Sequence, residues 1–333
     1  MGSRATYAVR TEDGTQLYYS HWGGQHVEDD LLWGSEVAIP FIRSLDRGSA
    51  DDLLLDTAWC EGGAVVDAVK RTLLVFGGES ISSEPDLRNM WLRLARVAWD
   101  GWKVNWAYHG MADIADALDV PRERVLGKLS YEKFDPNKLY SCHTAGRARM
   151  LLSIKESDGT LKHIGFDAPL EYYVFGGTKL IEVLDRCKPY SVAELKLGQD
   201  LPQDAIFIDV AGRALVVTLA AVFGNYDPRY QGLIEEAWSG WTVKLNFEGL
   251  SEHTKVAQLD FQIPSPSTEK MLQSLRRSAC EPWAYDNAST VQPDFIEKTP
   301  ANSFHNHKVV LLPETDRAAR FDKLVSQLKA ARE

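Results

Sequence analysis

Trp99-Asp100-Gly101-Trp102-Lys103-Val104 returns as Trp238-Ser239-Gly240-Trp241-Thr242-Val243, 139 positions further along the chain. Two tryptophans around a glycine, followed by an alternating strand-like run, mark an internal duplication, and a duplication sets the whole architecture. Gly110 and Gly249 keep the same offset. Upstream, Val66-Asp67 and Arg71-Thr72-Leu73-Leu74-Val75 match Ile208-Asp209 and Arg213-Ala214-Leu215-Val216-Val217 at an offset of 142. Asp13-Gly14-Thr15 matches Asp158-Gly159-Thr160 at 145. The drift places small insertions between elements, where added loop length costs little.

Each copy predicts the same order of elements, ββα-ββα-β. In the first, residues 6–10 and 16–22 read as a hairpin around Asp13-Gly14. A helix falls near 38–45, and segments 63–69 and 72–76 pair through Lys70-Arg71. Pro85 opens a helix whose apolar residues at 87, 90, 91, 94, 97 and 98 share one face. Gly101 ends it, and 102–108 returns as a strand. The matching segments of the second copy are 151–155, 161–166, 178–184, 205–210, 214–222, 228–238 and 241–247. Hairpins mixed with helices predict an α+β fold with mixed or antiparallel sheets flanked by helices. The expected division is residues 1–120 for the first repeat, 121–146 for a connector, 147–260 for the second repeat and 261–333 for a C-terminal helical extension. In that extension, 268–277 and the run carrying Phe321, Leu324, Val325 and Leu328 have helical spacing, and 307–312 reads as a short strand. The extension is expected to pack on the repeats and cover an edge strand.

Composition narrows the function classes. The 333 residues are 44% hydrophobic and 25% charged, as in ordinary globular chains. A net charge of −10 argues against general nucleic-acid binding. No run approaches the ~18 apolar residues of a membrane helix, so no membrane association is expected. Four scattered cysteines without a CxxC, and no leader pattern, point to the cytoplasm. No phosphate loop, dinucleotide fingerprint, HExxH or GxSxG occurs, so no cofactor is expected. The pairs Gly23-Gly24, Gly62-Gly63, Gly77-Gly78 and Gly176-Gly177 read as turns or bulges at strand ends.

Candidate site residues come from three patterns. Cys60, ahead of Glu61-Gly62-Gly63, has the setting of a nucleophile, with His21 the nearest base in the same copy. Tyr108-His109-Gly110 and Phe247-Glu248-Gly249 stand at matched strand ends, so a twofold relation between the copies would make His109 and Glu248 an acid/base pair. Trp22, Trp33 and Trp59, with Glu36 and Glu61 near them in sequence, belong to the first copy alone; aromatics at loop ends make pocket walls or interface anchors. His305 and His307 share one face of a strand but supply only two ligands, so no metal is assigned. Acidic runs such as Glu28-Asp29-Asp30 read as solvated turns and caps.

These patterns favour a binding protein that uses an aromatic, acidic surface of the first repeat to hold a protein or small-molecule ligand. An antitoxin-like or immunity-like role is one form of it. The alternative is a hydrolase or transferase with a cleft between the repeats, using the Cys60–His21 or the His109–Glu248 pair.

Overall fold

A computed structural model describes residues 3–129, 131–139, 150–167, 170–187, 189, 204–219, 226–259, 266–280 and 314–331. They divide into two compact units, one drawn from residues 1–82, 87–127 and 266–333, the other from 83–86 and 128–265.

The first unit runs β1 (Arg4–Thr11), β2 (Gly14–Ser20), a 3-10 turn at Gly23–Gln25, α1 (Val27–Leu31), α2 (Ser35–Arg43), β3 (Asp46–Gly48), α3 (Ala50–Leu53), β4 (Cys60–Asp67), β5 (Thr72–Phe76), α4 (Glu79–Ser83), α5 (Pro85–Ala98), β6 (Lys103–Trp106) and α6 (Met111–Ala117). The second runs β7 (Met150–Lys155), β8 (Leu161–Phe166), α7 (Leu170–Val174), α8 (Lys179–Leu184), β9 (Asp204–Asp209), β10 (Ala214–Leu219), α9 (Arg229–Ala237), β11 (Thr242–Asn246) and α10 (Leu250–Val256). The sheets are ordered β3-β2-β1-β4-β5-β6 and β11-β10-β9-β7-β8. Both follow one pairing scheme: an antiparallel hairpin, a parallel step to the next hairpin, and a last strand added parallel after a helix. The fold is α+β, and it is duplicated.

The duplication reaches individual contacts. Trp99 Nε1 donates to Leu31 O at 2.7 Å, and Trp238 Nε1 donates to Val174 O at 2.7 Å. Trp99 meets Trp102 edge-on at 5.1 Å, and Trp238 meets Trp241 at 5.0 Å. This explains the repeated hexapeptide. The first tryptophan ties its helix to a carbonyl of the short helix that follows the first hairpin of its copy, and the second covers its ring after the glycine reverses the chain. At the far end of the sheets, Arg10 pairs with Asp67 at 3.4 Å and Lys155 with Asp209 at 3.2 Å.

One sequence match shifts on folding. In the first hairpin Thr11 faces Gly14, leaving a two-residue loop, whereas in the second Glu156 N donates to Thr160 O across three residues. The Asp-Gly-Thr letters therefore align, but β8 lies one residue further along than they suggest. By register, Ala8 opposite Leu17 corresponds to Ser153 opposite His163.

The C-terminal helices α11 (Thr268–Cys280) and α12 (Glu314–Ala330) belong to the first unit. Leu275, Ala279, Cys280, Phe321 and Leu324 join its core, and Ser278 Oγ donates to Asp29 Oδ1 at 2.8 Å. Where described, α11 packs against α1, and α12 packs against α11. The expected strand 307–312, together with His305 and His307, lies outside the described residues.

Candidate functional site

The hairpin β1–β2 and the start of β4 bring five side chains of the first copy into one continuous run. Arg4 opens β1 opposite Cys60 of β4, and Tyr19 faces Thr6 across the β1–β2 ladder, which sets Arg4 and Tyr19 on the same face two residues apart. The Arg4 guanidinium lies over the Trp59 ring, 4.8 Å from its centroid. The Arg4 charge also acts on the Tyr19 hydroxyl, favouring its ionised form, and that hydroxyl lies 3.0 Å from His21 Nδ1. The His21 ring meets Trp22 edge-on at 5.1 Å. The sequence thus runs Trp59, Arg4, Tyr19, His21, Trp22.

Its two ends are open to solvent, Trp59 at 59% and Trp22 at 39% exposure, whereas Trp91, Trp99 and Trp238 are sealed in the cores. Burial raises the Tyr19 hydroxyl above its usual range, partly offset by Arg4, and burial together with the Arg4 charge lowers the His21 imidazole. Burial first and the Arg4 charge second therefore disfavour the protonated His21 ring, and Arg4 is the fixed cation of the run. Glu61, exposed on β4 two residues past Trp59, borders it, while Glu36 is exposed on a separate element, in the first turn of α2. Arg4 and Tyr19 are the members that sequence reading missed. Their signal was the alternation of β1 and β2, which puts them on the face of the run only once the hairpin register is known.

Trp33 leaves the set. It is 9% exposed and packs in the core of the first unit with Leu31, Leu32 and Phe41. The physical reason is α1, which the acidic run Glu28-Asp29-Asp30 hides in sequence. Glu28 and Asp30 are buried, at 3% and 7% exposure, and not solvated. Trp91 Nε1 donates to Glu28 O at 2.9 Å, and burial, aided by Asp29, pushes the Glu28 carboxyl well above the usual carboxylate range.

Three of the glycine pairs converge beside this helix. Gly78 N donates to Gly24 O at 2.8 Å; a Cβ on Gly77 would stand 2.5 Å from Gly62 Cα, and one on Gly62 would stand 2.9 Å from Gly24 Cα. They are places where backbones touch, filled by the protein itself.

Cys60 lies among these backbones, 1% exposed, with its thiol donating to Gly62 O at 3.1 Å and lying 3.7 Å from Thr6 Oγ1. Burial pushes the thiol up to about 11, so it stays protonated at neutral pH, whereas attack needs the thiolate. Iodoacetamide at about pH 7.5 is expected to leave Cys60 unlabelled in the folded chain and to modify it on unfolding, read by peptide mass spectrometry. Rapid labelling of the native protein would restore Cys60 as a nucleophile.

His109 and Glu248 occupy matched turns, each before the glycine that opens the helix after the last strand of its sheet. The His109 backbone N–H donates to Asp113 Oδ2 at 2.9 Å, and that of Glu248 to Asn246 Oδ1 at 2.9 Å. They stand in different units, so no contact within either unit joins them. Among the described residues no group of three or more His, Cys, Asp or Glu is placed to hold a metal, and no helix is long and apolar enough to cross a membrane.

Comparison with known protein families, curated proteins and solved structures gives no match, so the site is read from its own chemistry.

Proposed function

We propose that this protein acts by binding, and that the Trp59–Arg4–Tyr19–His21–Trp22 run of the first repeat anchors a protein or small-molecule ligand. The observation that carries this reading is the pair of exposed tryptophans at the ends of a run whose interior is already hydrogen-bonded. Tryptophan, tyrosine and arginine are the residue types that dominate binding energy at interfaces, because each offers a large contact area with a polar handle. Here Arg4 is stacked on Trp59 and Tyr19 is bonded to His21 before any ligand arrives, which reduces the ordering cost on association. The second copy has Gly165 and Asp167 where register places Tyr19 and His21, so the run is a feature of the first copy alone.

Affinity purification from the source organism with full-length chains tests the reading. Trp22→Ala and Trp59→Ala should each weaken the specific partner about tenfold or more. Their thermal midpoints should barely move, since exposed side chains contribute within about 0.5 kcal/mol. Glu36→Ala, on a different element, serves as the control. A partner recovered equally by wild type and the Trp22/Trp59 double variant, or none recovered reproducibly by wild type, would remove the proposal.

A further inference from the structure

In the second unit the Ser153 hydroxyl on β7 lies 3.0 Å from His163 Nδ1 on β8 and 3.0 Å from His253 Nε2 on α10. All three are buried: Ser153 and His253 are 0% exposed and His163 is 8% exposed. The first copy has no such cluster. Register gives Ala8 and Leu17 at the Ser153 and His163 positions, and Ile114 is the fourth residue of α6 as His253 is of α10. An apolar triple in one copy is a polar triple in the other.

The cluster is not arranged for nucleophilic catalysis. In a serine triad the histidine stands between the nucleophile and the group that orients it. Here the serine stands between two histidines, with no surface open to a substrate.

Counting protons shows what the arrangement tolerates. His253 Nδ1 is buried without a hydrogen-bond partner among the described residues. A buried N–H there would cost the full penalty of an unmade hydrogen bond, so the stable form has the proton on Nε2. His253 Nε2–H then donates to Ser153 Oγ, and the Ser153 hydroxyl donates to His163 Nδ1. One more proton has no good place. On His253 Nδ1 it meets no acceptor. On His163 Nδ1 it faces the serine's hydrogen, and the hydroxyl can turn away only if His253 moves its own proton to the orphaned nitrogen.

We propose that the Ser153–His163–His253 cluster is an acid-sensitive latch holding α10 against its sheet, released when the cluster takes up a proton. Apart from the latch, α10 packs Leu250 and Val256 against a small apolar cluster of Leu151, Ala205, Phe207, Ala257 and Leu259. Burial, with the neighbouring His163 second, holds the His253 imidazole at about 4, and burial lowers His163 as well. The ordinary histidine value of 6.5 applies once the helix is released. The released state therefore binds more protons, so the latch is intact above about pH 6.5 and weakens as pH falls toward 4. The charged groups on the surrounding elements are Lys155 on β7, Lys162 on β8, Asp204 and Asp209 on β9, Lys244 on β11, and Glu252 and Lys255 on α10. Lys155 pairs with Asp209, Lys162 with Glu156 and Asp185, and Lys244 with Glu252.

Hydrogen exchange on the full chain reads the latch directly. Between about pH 7.5 and about pH 5, protection factors over 250–256 should fall about tenfold or more, while those over 111–117 in α6 stay level. The triple variant Ser153→Ala, His163→Leu, His253→Ile, which installs the first copy's own residues, should lose this pH dependence. Imidazole nitrogen shifts of the wild-type chain, which need no variant to fold, should show His253 as the Nε2–H tautomer at neutral pH. Equal protection at both pH values, an equal loss in α6, an unchanged pH response in a folded triple variant, or a neutral-pH Nδ1–H tautomer would each overturn the proposal.

Discussion

Trp238→Ala should destabilise the second unit by about 3–5 kcal/mol, with Trp99→Ala doing the same to the first. Both rings are among the largest fully buried side chains, at 0% and 1% exposure. Truncation removes the apolar contacts of an indole, opens a cavity that the surrounding strands and helices only partly fill, and leaves the carbonyl of Val174 or Leu31 without its donor. It also uncovers one face of Trp241 or Trp102. Trp→Phe at the same positions separates the terms. It keeps most of the volume and loses the N–H, and should cost about 1–3 kcal/mol. Denaturant titration followed by fluorescence measures both. A Trp238→Ala chain as stable as wild type would mean that the repeated hexapeptide does not set the core.

Gly177→Ala comes next in expected effect, at about 3 kcal/mol, with Gly34→Ala as its counterpart in the first unit. Each glycine has a left-handed backbone, φ 59° and 85°, and each lies against the carbonyl that precedes the buried tryptophan. A Cβ on Gly177 would stand 2.2 Å from Ala237 O, and one on Gly34 would stand 2.4 Å from Ala98 O. Those carbonyls belong to helices anchored by the tryptophans, so neither can withdraw without disturbing the core. Gly159→Ala supplies the control, because its φ of 89° is equally left-handed while no atom lies within 4 Å of the added carbon. That variant should show the conformational strain alone, about 1 kcal/mol. Thermal midpoints of the three variants then separate strain from collision. If Gly177→Ala fell no further than Gly159→Ala, the close approach would not be a constraint.

Much of the fold was legible because its signals are local. The helix of residues 85–98 declares itself through six apolar positions on one face, and the hairpins through alternation around Asp-Gly and Lys-Arg turns. Of the site, the tryptophans were legible as an asymmetry between copies. Trp33 misled because α1 carries an acidic run on residues that the fold buries. Arg4 and Tyr19 were silent because nothing in a strand's own pattern says which neighbour it will face.

By itself the sequence determined that one unit is written twice, its main order of hairpin, helix, hairpin, helix and strand, and which faces of the long helices are apolar. These follow from periodicity and from identities at a constant offset, properties that survive without knowing any distance. Only the tertiary structure decided that Trp59 and Trp22 end one run through Arg4, that Glu28 is buried, and that Ser153 meets two histidines. Those facts depend on strand register, down to the single residue that separates the two hairpin loops, and on which helix docks on which face. A one-residue slip in pairing turns every side chain of a strand to the opposite face, so such contacts exist only once the sheet is built.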